Sequence, residues 1–190
     1  MGKITDELKR EILRMPTIEK DKILLRLIAK DEMLIAKLQH QLLEDEDDAR
    51  HKREEILQYI KRNITPTNNP NYHYTPGLMM MSMRDCNGTI TRHVKITKDK
   101  FGEVELSLAL VLEVFINHET MLATGANKAE NFADYVVKKA DFILKKLDKI
   151  HEDYYIEFEE KVNQMLQYIH NYKPCYHFIK EIKLPTNWNR

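Results

Sequence analysis

Apolar positions recur mostly at steps of three and four along this chain. They are densest from Val104 to Ala123, where only Ser107 and Glu113 are polar between Leu106 and Ile116. At about 100° per residue, Glu113, Asn117, Thr120 and Thr124 form one narrow polar stripe, and the remaining faces are Leu, Val, Ala, Phe or Ile. A helix apolar on so many sides must be covered by others. The pattern therefore predicts a buried central helix over 103–123 around which the rest of the chain is arranged.

Ahead of it, Ile4, Leu8 and Ile12 follow the start signal Thr5-Asp6-Glu7 and predict a short amphipathic helix ended by Met15-Pro16. Thr17 is placed to cap the next helix, whose buried side would be Ile18, Ile23, Leu24, Leu27 and Ile28. Asp31-Glu32 reads as the start of a third carrying Met33, Leu34, Leu38 and Leu42, because an unbroken helix from Thr17 to Leu43 would be apolar on nearly all sides. Five acids, Glu44 to Asp48, then His51-Lys52-Arg53, precede the stripe Ile56, Leu57, Ile60 and Ile64, the charge order of an exposed helix start.

The helical pattern stops between Thr65 and Gly77, where Pro66, Pro70 and Pro76 fall among three asparagines and Tyr72-His73-Tyr74. Loops of this length are often functional. Four methionines between Met79 and Met83 lead to Asn87-Gly88, which fits either a helix stop or the turn of a β-hairpin over 79–96. An otherwise helical chain offers no sheet to support a lone hairpin, so the helical reading is preferred.

After the central helix, Phe132, Val136, Ala140, Ile143, Leu147 and Ile150 form one seam, and Tyr155, Phe158, Val162, Met165, Ile169 and Tyr172 form another, out of phase with the first. An antiparallel pair accounts for this better than one helix over 126–172. Pro174 precedes a last short helix with Phe178, Ile179 and Ile182.

The fold expected is all-α, with seven or eight helices in antiparallel pairs, as a bundle or short α-solenoid. One domain over 1–190 would contain an N-terminal helical region over residues 1–64, a loop-rich linker over 65–102, and the central helix with a C-terminal pair over 103–190.

Charge narrows the function only by exclusion. Thirty basic and thirty acidic residues cancel, and they cancel in each third of the chain, so bulk attraction to nucleic acid or an anionic membrane is not expected. The charged beginning does not read as a signal peptide, and no apolar run reaches the ~18 residues of a membrane span, which points to the cytoplasm with Cys86 and Cys175 reduced.

The glycines are isolated at 2, 77, 88, 102 and 125, so there is no phosphate loop or dinucleotide fingerprint, and neither Ser82 nor Ser107 lies in a nucleophile elbow. Asp48-x-x-His51 and Asp148-x-x-His151 echo bundle metal motifs but sit in charge-rich stretches, and His118 reads as a buried, hydrogen-bonded histidine. No cofactor is expected. Tyr168, His170, Tyr172, Cys175, Tyr176 and His177 read as a helix end sealing the core, with a partner surface as the alternative.

A local basic excess lies at Arg92, Lys95, Lys98 and Lys100 against Asp99, with His93 beside them. The functional expectation is a non-enzymatic protein-interaction or adaptor module whose partner is another protein. Arg92, His93, Lys95, Lys98, Lys100, Tyr72 and Tyr74 would share one binding groove. The alternative is a nucleic acid or phosphorylated ligand bound at 92–100, and the third reading is a metal-dependent helical-bundle hydrolase.

Overall fold

The computed structural model describes residues 4–66, 74–124 and 129–189. Among them are ten α-helices and no strand. They divide into two compact units, Met1–Asp45 and Glu46–Arg190, with the boundary inside the stretch 1–64 that the sequence pattern groups together. No helix among the described residues is long and apolar enough to cross a membrane.

The first unit holds α1 (Asp6–Arg14), α2 (Thr17–Ile28) and α3 (Glu32–Leu43). Thr5 Oγ1 accepts from Leu8 N at 3.3 Å and Asp31 Oδ1 from Leu34 N at 3.0 Å, the side-chain caps that satisfy otherwise orphaned helix amides. Pro16, not Thr17, precedes α2 as its cap position and makes no side-chain bond. The expected buried side of α2 is absent: Ile18, Ile23, Leu24 and Leu27 are exposed, and none of the three helices contains a buried residue.

The second unit consists of α4 (Glu46–Ile64), α5 (Pro76–Thr97), α6 (Lys100–Asn117), α7 (Glu119–Thr124), α8 (Glu130–Leu147), α9 (Tyr155–Asn171) and α10 (Tyr176–Ile182). Helix α6 packs against α4, α5, α8 and α9, and its Val104, Leu106, Leu108, Leu110, Val111 and Val114 are buried. The apolar run expected as one helix over 103–123 is two. His118 leaves helical geometry at φ −127° and ψ 36°, and its ring Nε2 donates to the Ile64 carbonyl at the end of α4. Asn117 Nδ2 bonds both the carbonyl and the carboxylate of Glu113, at 2.8 and 2.9 Å, and so satisfies groups of the last turn.

Helix α5 runs through Asn87-Gly88, which rules out the hairpin over 79–96. Met79, Met83, Cys86, Ile90 and His93 are buried on its inner face at helical spacing. Its stop falls at Lys98, a left-handed cap at φ 61°. Segment 126–172, where described, is two helices, α8 and α9, joined through a 3-10 turn at Glu152–Tyr154. Tyr168 stacks on Phe115 with ring centroids 5.6 Å apart, and buried Tyr172 meets Phe115 and Phe132 edge-on, so these aromatics seal the core.

Gly88 gives a test of this assignment. It is exposed in the interior of α5, and a Cβ built there meets nothing within 4 Å. Since alanine is favoured over glycine in a helix by ~1 kcal/mol, Gly88→Ala should raise the melting temperature by about 2–4 °C. A lower melting temperature would show that the backbone at this position depends on glycine.

Candidate functional site

The basic stretch proposed from sequence lies at the turn between α5 and α6. Arg92, Lys95, Lys98 and Lys100 are all exposed there. His93 does not contribute to that surface. It is buried, with Nε2 3.5 Å from Asp99 Oδ2. Tyr74 lies at the opposite end of α5, where its hydroxyl donates to the Thr65 carbonyl at 3.3 Å and its ring centroid is 4.4 Å from that of His118. A helix of 22 residues rises about 30 Å at 1.5 Å each, so Tyr74 and the basic turn share no groove. Tyr72 lies outside the described residues.

His93 instead belongs to a charge cluster that joins three helices. Arg53 of α4 places Nε 3.4 Å from Asp99 Oδ2 and Nη1 3.5 Å from Glu105 Oε2, and its guanidinium lies 5.3 Å from the Phe101 ring centroid. The two contacts to Asp99 Oδ2 are long ion-pair distances rather than formed hydrogen bonds: Arg53 Nε, His93 Nε2 and Asp99 Oδ2 are all buried without a hydrogen-bond partner. Asp99 Oδ1 accepts from Gly102 N at 2.8 Å and caps α6. Burial pushes the Asp99 carboxyl up, but His93, the Gly102 amide and Arg53 together outweigh it and hold the group below the ordinary carboxylate range. The cluster anchors the start of α6, and its Arg53 and Asp99 also line a cleft of about 310 Å³ with Glu46, Asp47 and Arg50.

The second feature is a cleft of about 340 Å³ lined by α5, α6 and α8. Lys139 lines it and is only 7% exposed. Its Nζ donates to Asn87 Oδ1 at 2.5 Å and Ser107 Oγ at 3.1 Å, and lies 4.7 Å from the Phe142 ring centroid. These partners are neutral. The carboxylates around it are engaged elsewhere, Glu103 with Lys146 at 2.7 Å and Asp134 with Lys138 at 2.8 Å. Burial therefore pulls the Lys139 ammonium down to about 8; Glu103 works against that shift and Lys146 with it. Tyr135, one helical turn before Lys139, has a buried hydroxyl with no hydrogen-bond partner. Sequence reasoning passes over Lys139 because Lys138-Lys139 looks like a solvated pair, and only Ser107, alone among apolar residues of α6, hints at a buried polar contact.

Neither thiol is placed for nucleophilic work. Cys86 and Cys175 are buried and free; burial, with Asp85 adding for Cys86, pushes them up to about 11 and about 12. Among the described residues, no three His, Cys, Asp or Glu side chains cluster in a way that could hold a metal ion.

The third feature is the surface of the first unit. Of the eighteen large hydrophobic residues exposed among the described positions, eleven lie between Ile4 and Leu43, from 38% exposed at Ile23 to 78% at Leu43. That concentration is far above the scattered single side chains of an ordinary surface. Neither the protein-family models, nor the curated proteins, nor the solved structures compared with this chain match it.

Proposed function

We propose that this chain is a non-enzymatic helical protein-interaction module whose first unit associates with a second copy of the same unit. The observation that carries this is that α1, α2 and α3 bury no residue although they are rich in leucine and isoleucine. They are 9, 12 and 12 residues long, and isolated helices below ~12–15 residues are marginal in water. Segments of about 40 residues without disulfides or metals usually need association to fold stably.

The available area suits a dimer. At about 25 cal/mol per Å² and 1.5–3 kcal/mol per buried Leu or Ile, a side chain of this kind offers roughly 60–120 Å² when fully exposed. Eleven of them at the observed exposures supply on the order of 400–800 Å², approaching the ~800 Å² that each partner contributes to a standard interface. Charge favours a like partner. Residues 1–45 carry nine basic and nine acidic side chains, so the surface neither repels its own copy nor selects a strongly charged one.

Sedimentation of the full chain across a range of concentrations is the test. The native chain should be dimeric, and a variant carrying Leu8→Glu, Ile12→Glu, Leu24→Glu and Leu27→Glu should be monomeric with unchanged melting of the second unit. A native chain that stays monomeric at every concentration, or a variant that stays dimeric, would overturn the proposal.

The alternative, an anionic ligand at Arg92, Lys95, Lys98 and Lys100, is supported by the exposure of those four side chains alone.

A further inference from the structure

After α10 the chain turns at Lys183, a left-handed position at φ 55°, and residues 184–189 return over α9 with neither helix nor strand among them. Side chains of α9 hold this segment by its backbone. The Asn163 amide pairs with Trp188 in both directions, Oδ1 accepting from Trp188 N at 2.7 Å and Nδ2 donating to the Trp188 carbonyl at 3.1 Å. His170 Nε2 donates to the Pro185 carbonyl at 3.0 Å. Seven residues of helix separate Asn163 from His170, a rise of about 10.5 Å, and an extended chain covers the three steps from Pro185 to Trp188 in about 10 Å. The two fastenings are therefore in register with an extended segment running antiparallel to α9.

Bonds to a backbone hold a peptide whatever its sequence, and selectivity is left to the side chains that find pockets. Here those are Leu184 and Trp188, each 6% exposed, with the indole 5.1 Å from the Tyr155 ring and edge-on to it. Between the fastenings the fit is loose. Thr186 and Asn187 are exposed and line an open cleft of about 650 Å³ with Gln164, Gln167 and Asn171 of α9. The segment is fixed at its two ends and spans a gap in the middle, the arrangement of a bound peptide more than of a packed element.

We propose that this face of α9 is a peptide-binding groove kept closed by the chain's own residues 184–189, and that it takes an extended segment of another protein carrying leucine and, four residues on, tryptophan. A short tether gives the closing segment an effective concentration on the order of millimolar, so it outcompetes a peptide in solution until it is weakened or displaced. The groove belongs to the second unit alone and does not depend on association through the first.

Trp188 is the chain's one tryptophan, which supplies the readout. A labelled peptide Lys-Leu-Pro-Thr-Asn-Trp-Asn, the sequence of residues 183–189, is titrated into the full chain and followed by anisotropy. It should bind saturably to the Trp188→Ala chain and about a hundredfold more weakly to the native chain, whose groove is filled. Adding Asn163→Ala to Trp188→Ala should weaken the peptide about tenfold or more. A second measurement uses the native chain and so does not depend on the variant folding. Excess peptide with phenylalanine in place of tryptophan should displace the segment and raise quenching of Trp188 by acrylamide. No saturable binding to a folded Trp188→Ala chain, equal affinity in the native chain, indifference to Asn163→Ala, or quenching unchanged by the peptide would each overturn the proposal. Loss of self-association in the Trp188→Ala chain, whose first unit is intact, would assign the groove to a second copy and overturn it as well.

Discussion

Leu110→Asp should leave the second unit unable to fold. Leu110 is fully buried in α6, the helix that packs against four others. Removing the leucine forfeits the 1.5–3 kcal/mol of burying its side chain. The aspartate then either stays ionised, several kcal/mol out of reach of its hydration, or takes up a proton and still lacks a hydrogen-bond partner. Together these exceed roughly 5 kcal/mol, a large fraction of the 5–15 kcal/mol that stabilises an ordinary domain. Leu110→Met keeps the volume and polarity and should lose less than about 1.5 kcal/mol. Circular dichroism and thermal melting of the two variants separate the outcomes. A Leu110→Asp chain with native helix content and unchanged melting would mean that α6 is not the core of this unit.

What sequence makes legible here is what local chemistry decides. Asp31 and Asp99 cap their helices through Leu34 N and Gly102 N because a carboxylate directly before an apolar-periodic run has an orphan amide within reach. The all-α class and the division of 126–172 into two helices follow from apolar spacing alone. Contacts between distant residues are out of its reach. Asn87-Gly88 is as good a turn signal as any in the chain, yet α5 continues past it, since Cys86, Ile90 and His93 all bury on one face and Asn87 Oδ1 accepts from Lys139, 52 residues away.

Arg53 sits in a basic run that reads as solvated until Asp99 and Glu105 are seen opposite it. Tyr74 and Arg92 look close in the chain, but a rigid helix separates them. For α1 to α3 the periodicity correctly marks an apolar side, while nothing in a single chain's pattern states what covers it. The cleft is the least legible feature, because its ammonium and ring share one helix face while the ammonium's partners, Asn87 and Ser107, come from two other helices.

Gly102→Ala should destabilise the second unit by about 2–4 kcal/mol, and by less in acid. A Cβ at this position would lie 2.2 Å from Asp99 Oδ2, 2.8 Å from Asp99 Cγ and 2.7 Å from Arg53 Cδ. The carboxylate must therefore leave its place. It would release the Gly102 amide, a cap worth ~1 kcal/mol, and would abandon Arg53 and buried His93 next to each other.

The acid dependence identifies the cause. Asp99 binds its proton less readily in the folded chain than the ordinary carboxylate does, so in the window below about pH 4 the unfolded chain holds more protons. Its contribution is complete above the ordinary carboxylate value and is lost as pH falls through the depressed folded one. A variant whose Asp99 has already been displaced has no such contribution to lose. Urea unfolding of both chains at about pH 7 and about pH 3 should show the gap between them narrowing in acid. A gap of equal size at both values would mean that the alanine acts through strain in α6 rather than through the Asp99 carboxylate, and no gap at all would mean that the close approach at Gly102 is relieved without cost.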